Sequence, residues 1–153
     1  MTWTELETST YQHHVIQHVI GATVLGWFIA EDAVHFVLDI GLLWTIYVNA
    51  EMNLMALFVA IEDLESEGLS RQVIEELTAD AQRLLDSGRD GADLKHFNAV
   101  SVNFILEEVA LFSADSLRRI VIAGETAMID VCTSSDDSSV KVVESPRINT
   151  RIG

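Results

Sequence analysis

Residues 34–48 read Val34-His35-Phe36-Val37-Leu38-Asp39-Ile40-Gly41-Leu42-Leu43-Trp44-Thr45-Ile46-Tyr47-Val48. Every even position in this run is apolar, while His35, Asp39, Thr45 and Tyr47 stand at odd ones. Successive side chains of a strand point to opposite faces, so a period of two is the mark of a sheet with one buried side. The stretch is therefore expected to form two strands of a meander, with the even-numbered side chains inward together.

Parity carries the register outward from there. A two-residue hairpin loop pairs odd positions of one strand with even positions of the next. With Glu31-Asp32 as that loop, Ile29 faces Val34, Trp27 faces Phe36 and Leu25 faces Leu38, and every pair is apolar. The following turn must hold an odd number of residues to set Leu38 opposite Trp44 and Phe36 opposite Ile46. A three-residue loop using Gly41 for a positive φ meets that need. Trp27 and Trp44 fall on the inward face and read as core.

On either side the period changes. Thr4 with Glu7 has capping-box spacing and predicts a short helix over 4–13. Across 50–66, Leu54, Leu57, Phe58, Ile61 and Leu64 fit a helix face, yet 55–61 fits a buried strand equally well. Ser70 opens a helix whose apolar side is Val73, Ile74, Leu77, Ala81, Leu84 and Leu85, with Gly88 as its stop. Val100, Val102, Phe104 and Leu106 then alternate, and Glu107-Glu108 repeats the acidic pair of 31–32, predicting a hairpin that sets Leu106 against Val109 and Phe104 against Leu111. Ser113 as N-cap, followed by Leu117, Ile120, Val121, Gly124, Met128 and Val131, predicts a last helix, with a hairpin turning at Gly124-Glu125 as the competing pattern.

The expected class is α+β: an antiparallel β-meander plus a β-hairpin with helices packed on one face, in the order α-β-β-β-α-β-β-α. One domain over 1–132 carries it, and the Ser- and Asp-rich run from Thr133 makes 133–153 a flexible polar tail in which 140–143 could add an edge strand. A chain of 153 residues is close to the ~150 of an ordinary domain and can bury a core without disulfides.

Charge excludes partners. Nine Lys and Arg against 24 Asp and Glu give a formal net charge of −15. Lys141, Arg147 and Arg151 balance Asp136, Asp137 and Glu144, so the whole excess belongs to the folded body. Nucleic acid and anionic lipid are unfavourable partners for such a field, while basic protein segments are favourable ones. The lone Cys132 has no partner for an internal disulfide, the chain start lacks the basic and apolar regions of a signal peptide, and a cytoplasmic location is expected. Residues 15–61 are apolar but are interrupted by Glu31, Asp32, His35, Asp39, Asn49, Glu51 and Asn53, leaving no window of ~20 apolar residues.

Candidate chemistry is sparse. His13, His14 and His18 could share a metal ion on a helix, but no Cys or carboxylate completes four ligands, and an exposed polar face accounts for them. Glu31, His35 and Asp39 have nearly the spacing of half a di-iron site, but it is off by one residue and present once. Asp63, Glu65, Glu67 and Gly68 trace the start of a calcium loop whose twelfth position is Ile74, which supplies no carboxylate. Asp90-Gly91 lacks the rest of that pattern. Nucleophile elbow, phosphate loop and dinucleotide fingerprint are missing, and Cys132 is read as having no basic neighbour.

In element order, size and acidity, residues 4–131 resemble the type III secretion chaperone-like fold, on topology and without any shared motif. That resemblance implies dimers that bind extended segments of partner proteins. Separately, an apolar three-strand sheet leaves a strip or edge needing cover. The expectation is a non-enzymatic protein-binding or chaperone-like module, a homodimer taking basic or extended clients, with no cofactor, catalytic residue or metal. The rival is a metal-dependent enzyme on an all-helical body using His14, His18, Glu31, His35 and Asp39.

Overall fold

The computed structural model describes residues 2–30, 32–87 and 93–147, the side chains of 101 and 102 apart. In chain order these are β1 (Thr4–Leu6), α1 (Thr10–Val19), β2 (Thr23–Ala30), β3 (Ala33–Leu38), β4 (Leu42–Tyr47), β5 (Met52–Ala56), α2 (Leu57–Asp63), a 3₁₀ turn (Leu64–Glu67), α3 (Arg71–Ser87), β6 (Asn98–Ala114), β7 (Leu117–Gly124), β8 (Ala127–Ser134) and β9 (Ser139–Pro146). The strands form one antiparallel sheet in the order β5-β4-β3-β2-β6-β7-β8-β9, with β1 added beside β6. The class is α+β, but strands dominate and the element order differs from the expected one.

The meander follows the alternation. Ala30 pairs with Ala33, leaving 31 and 32 between them, and Ile29 faces Val34 while Trp27 faces Phe36. The third pair slips: Leu38 faces Val24 and not Leu25, because β2 bulges between Val24 and Gly26. Here Gly is required by close approach, since a Cβ on residue 26 would lie 2.8 Å from Leu84 Cδ1 and 2.9 Å from the Asn98 carbonyl oxygen. The β3–β4 loop has three residues as expected, with Gly41 at φ +80, yet the register sits two residues from the expected one. Phe36 faces Trp44 and Val34 faces Ile46. Moving by two residues preserves the faces, so Trp27, Phe36, Trp44 and Leu54 form one inward row across β2 to β5. Ile40 is the exception to the inward even series, lying exposed in the turn.

Glu107-Glu108 does not turn the chain. β6 runs straight through it and takes a bulge between Leu106 and Glu108. The buried positions change there from even, Phe104 and Leu106, to odd, with Leu111. One extra residue re-phases a strand in this way, and neither Glu adopts the positive φ that a tight hairpin needs. The change of parity was visible in the sequence; its cause is a bulge where a hairpin was expected.

The expected last helix is a hairpin instead. Ile120 pairs with Val131 and Ile122 with Ile129 across β7 and β8, which turn at 125–126. Ile120, Ile122, Ile129 and Val131 are β-branched residues buried at period two, the choice a strand makes. Ser113, expected to cap that helix, pairs with Arg118. The region expected as a flexible tail contributes the end of β8 and then β9, which pairs with β8 from Ala127↔Pro146 to Ser134↔Ser139.

At the N-terminus the helix starts later than expected. Thr4–Leu6 is a strand, and the working capping box is Ser9 with Gln12: Ser9 Oγ accepts from the Gln12 N–H at 3.1 Å and Gln12 Oε1 accepts from the Ser9 N–H at 2.8 Å. Only the later start places Gln12, Val15 and Val19 inward on one stripe. Over 50–66 both sequence patterns are right in part, strand to Ala56 and helix from Leu57. α3 buries Ile74, Leu77, Ala81 and Leu84, and Ser70 Oγ accepts from the Val73 N–H at 3.3 Å. The Gly88 stop and Asp90-Gly91 lie outside the described residues.

These elements build two cores. The two halves of the sheet fold face to face about β6, with β9 returning to within 8 Å of β3 between Cα atoms. Phe36, Trp44 and Ile46 thereby meet Ile120, Ile129 and Val131. α1 seals the β5 end of this space through Val15, Val19 and a buried Gln12 Nε2 hydrogen bond of 3.0 Å to the Ala50 carbonyl. On the other side of β2–β5, α2 and α3 lie over Phe28, Val37 and Leu43 as a second core. Helices thus occupy both sides of the N-terminal half-sheet, not the single side expected.

Candidate protein-binding surfaces

β7, β8 and β9 contribute nothing to the helix-covered core. Their inner rows fill the space between the half-sheets, and their outer rows grade from buried (Ala123, Met128) through half-buried to exposed. In register, Phe112, Arg119, Cys132 and Lys141 make one outer row, and Ala110, Val121, Asp130 and Val143 the next. Val143 is 57% exposed. Arg119 Nε donates to Asp130 Oδ1 at 2.6 Å, and its guanidinium lies 6.0 Å from the Trp3 ring. With Glu5 opposite Phe112, these rows hold two cations and two anions. The face is apolar with balanced charge, in a protein that is otherwise strongly acidic. Cys132 does have basic neighbours, Arg119 and Lys141 in the adjoining strands, contrary to the sequence reading.

Residues 1–70 contain ten Asp or Glu and not one Lys or Arg. Four of these acids cluster on α2 and the turn after it: Glu62, Asp63, Glu65 and Glu67 are all exposed. On the same outward side of α2 stand Phe58 and Val59. Phe58 had fitted the buried stripe in the sequence; because α2 begins only at Leu57, residues Leu57, Ala60, Ile61 and Leu64 fill that stripe and Phe58 is turned outward. The missing cations were countable in the sequence, but the outward apolar pair was not.

The residues of the metal-enzyme alternative are dispersed. His13, His14 and His18 are on α1 and exposed, with His14 and His18 rings 4.6 Å apart and His18 Nδ1 at 2.9 Å from the His14 carbonyl oxygen. His35 lies on the opposite side of the half-sheet, in the layer of Phe28, stacked on that ring at 4.6 Å. Asp39 is in the β3–β4 turn, where its carboxylate accepts from the Thr23 N–H at 2.9 Å. Glu31 lies outside the described residues. The body is not all-helical, and among the described residues no three His, Cys, Asp or Glu come together as a metal site. Asp63, Glu65 and Glu67 belong to a helix end and a 3₁₀ turn closed by Gly68 at φ +101.

Two buried polar groups are explained by structure. His35 Nδ1 and Thr45 Oγ1 share a 2.8 Å hydrogen bond, while Nε2 has no partner of full geometry. Burial lowers the His35 pKa to about 4, against a smaller opposing pull from the Ala30 carbonyl. The imidazole is therefore neutral near pH 7. Asp80 is fully buried and accepts from the successive N–H groups of Lys95, His96 and Phe97 at 3.0, 2.6 and 3.0 Å, pinning the segment before β6 to α3. Burial pushes the Asp80 carboxyl up, but these backbone donors outweigh it and hold the pKa below the ordinary value. Beside it, hydrogen bonds from His96 and Lys95 lower Glu76.

Among the described residues, no helix is long and apolar enough to cross a membrane. Comparison with protein-family models, with curated proteins and with solved structures gives no match. The function must be argued from these surfaces themselves.

Proposed function

We propose that the chain is a non-enzymatic protein-binding module of the chaperone-like kind, resembling type III secretion chaperones in habit, and that it works in the cytoplasm as a homodimer. The observation that supports this most is the outer face of β6–β9. Val143 is exposed and Phe112 and Val121 are half-buried there, none of the three belonging to the helix-covered core, and apolar surface left open in this way is covered by partners. Arg119 and Lys141 answer Glu5 and Asp130 on the same face. A second copy can approach there without the repulsion that two highly acidic molecules meet elsewhere. Both copies of a two-fold dimer present the same patch, so a charge-balanced face is self-complementary.

Light scattering on the purified protein tests the reading directly. The wild type should run at twice the chain mass, and Val143→Glu, which adds a negative charge opposite Asp130 on the same face, should run at the chain mass with an unchanged circular dichroism spectrum. A wild type that is strictly monomeric at high micromolar concentration, with no co-purifying polypeptide, overturns it.

A further inference from the structure

The outward side of α2 differs from the dimer face in one physical respect, its charge. Phe58 is 43% exposed, Val59 51%, and Ile40 53%. Ile40 is held beside the start of α2 because the Leu57 N–H donates to the Gly41 carbonyl at 3.0 Å. One helical turn beyond Phe58 and Val59, at i+4, stand Glu62 and Asp63, so each apolar side chain has a carboxylate next to it along the helix. Neither acid has an ion pair among the described residues. The nearest cation in sequence, Arg71, is already between Glu65 at 3.9 Å and Glu75 at 3.6 Å.

From these residues we infer that the outward face of α2, with Ile40 beside it, docks a basic polypeptide segment carrying a large apolar side chain flanked by Lys or Arg. This rests on the protein-binding reading above and assigns the client its own surface. The apolar trio supplies an anchor site; the acids supply the selection. A second copy of the chain is disfavoured there, because it would bring more carboxylates to a face whose neighbouring cation, Arg71, is already paired, whereas the outer face of β6–β9 is balanced. Anionic lipid and nucleic acid are disfavoured for the same reason. Seven residues of helix are ~10 Å long, so the face takes one anchor and the cations on either side of it, not an extended domain surface.

Fluorescence anisotropy with three labelled heptapeptides tests this: alternating Lys and Leu, alternating Lys and Ser, and alternating Glu and Leu. The Lys/Leu peptide should bind the wild type at least tenfold tighter than the Lys/Ser peptide, and the Glu/Leu peptide should not bind. Phe58→Ser with Val59→Ser should weaken Lys/Leu binding tenfold or more, and Glu62→Gln with Asp63→Asn at least threefold, each with an unchanged circular dichroism spectrum. Asp115→Asn with Glu125→Gln, which removes the same charge from the C-terminal turns, should change it less than twofold. Equal binding by the Phe58/Val59 variant, equal loss at the Asp115/Glu125 pair, or no binding by the wild type overturns the site. Light scattering on the same samples separates the two readings. A wild type that dimerises while its peptide binding is indifferent to the α2 substitutions removes this site and leaves the dimer reading, whereas a monomer that loses the peptide only on α2 substitution does the reverse.

Discussion

The two halves of the sheet share one core but treat their outer faces in opposite ways. β2–β5 carry His35, Val37 and Leu43 outward and bury them under α2 and α3; β6–β9 carry Phe112, Val121 and Val143 outward and leave the first two half-buried and the third exposed. The covered face is not wholly apolar, since it contains a histidine and a threonine. Those two polar groups tolerate burial because they bond each other. Alternation along a strand thus identifies the more apolar face but does not reveal whether the other is wet. That depends on what the rest of the chain lays over it.

The comparison can be broken most directly with truncations on the two outer faces. Leu84→Ala, under α3 against Gly26, should cost about 3 kcal/mol of unfolding free energy in urea, as buried leucine truncations do. Val121→Ala on the outer face of β6–β9 should cost less than about 1 kcal/mol, measured at concentrations where the protein is monomeric. Equal costs would mean that the two faces are not differently buried.

Acidification sharpens it by a comparable amount. The His35 pKa falls from 6.5 in the unfolded chain to about 4 in the fold, so between those values the unfolded state binds more protons. Stability from this group is then complete above pH ~6.5 and is lost as the pH falls toward 4, by a total of about 3 kcal/mol. Urea midpoints at pH 7 and pH 4.5 should show the drop. His35→Leu with Thr45→Val, which removes both members of the pair, should flatten it while leaving stability at pH 7 within about 1 kcal/mol. A wild-type midpoint that does not move between those pH values would place His35 in a wetter environment.

A smaller effect is expected at the hinge between the helix layer and β6. Asp80→Asn replaces a charged acceptor of three backbone N–H groups by a neutral one and should cost about 2 kcal/mol, with faster amide hydrogen exchange at Lys95, His96 and Phe97. Smallest of all, Val143→Ser should alter monomer stability by no more than about 0.5 kcal/mol, while it weakens the proposed dimer.

Much of the N-terminal half was legible: the even-numbered inward face from Val34 to Ile46, Ile40 excepted, and α3 follow from local period, and the two-residue and three-residue loops from strand parity and Gly41. The failures share a cause. Glu107-Glu108 resembles Glu31-Asp32 in composition, yet one pair lies in a bulge and the other between paired strands, because the course of β6 there is decided by its partners, the sequence-distant β2 on one side and β7 on the other. Residues 113–131 fit a helix face by spacing, but Ile120, Ile122, Ile129 and Val131 also alternate, and the space above Phe36 and Trp44 favours a sheet. Of the surfaces, the cation-free first 70 residues could be counted, whereas the outward turn of Phe58 required knowing where α2 begins.

The pairing of Trp27 with Asn98 spans 71 residues, and it has a kinetic consequence. β2 to β5 and their helices are joined by short connections and can assemble early, but the free side of β2 is matched only after β6 has emerged and closed that long loop. Until then an apolar strand edge is open to neighbouring chains, so pairing of β2 with β6 is expected to be the slow step of folding, and the stage most exposed to aggregation.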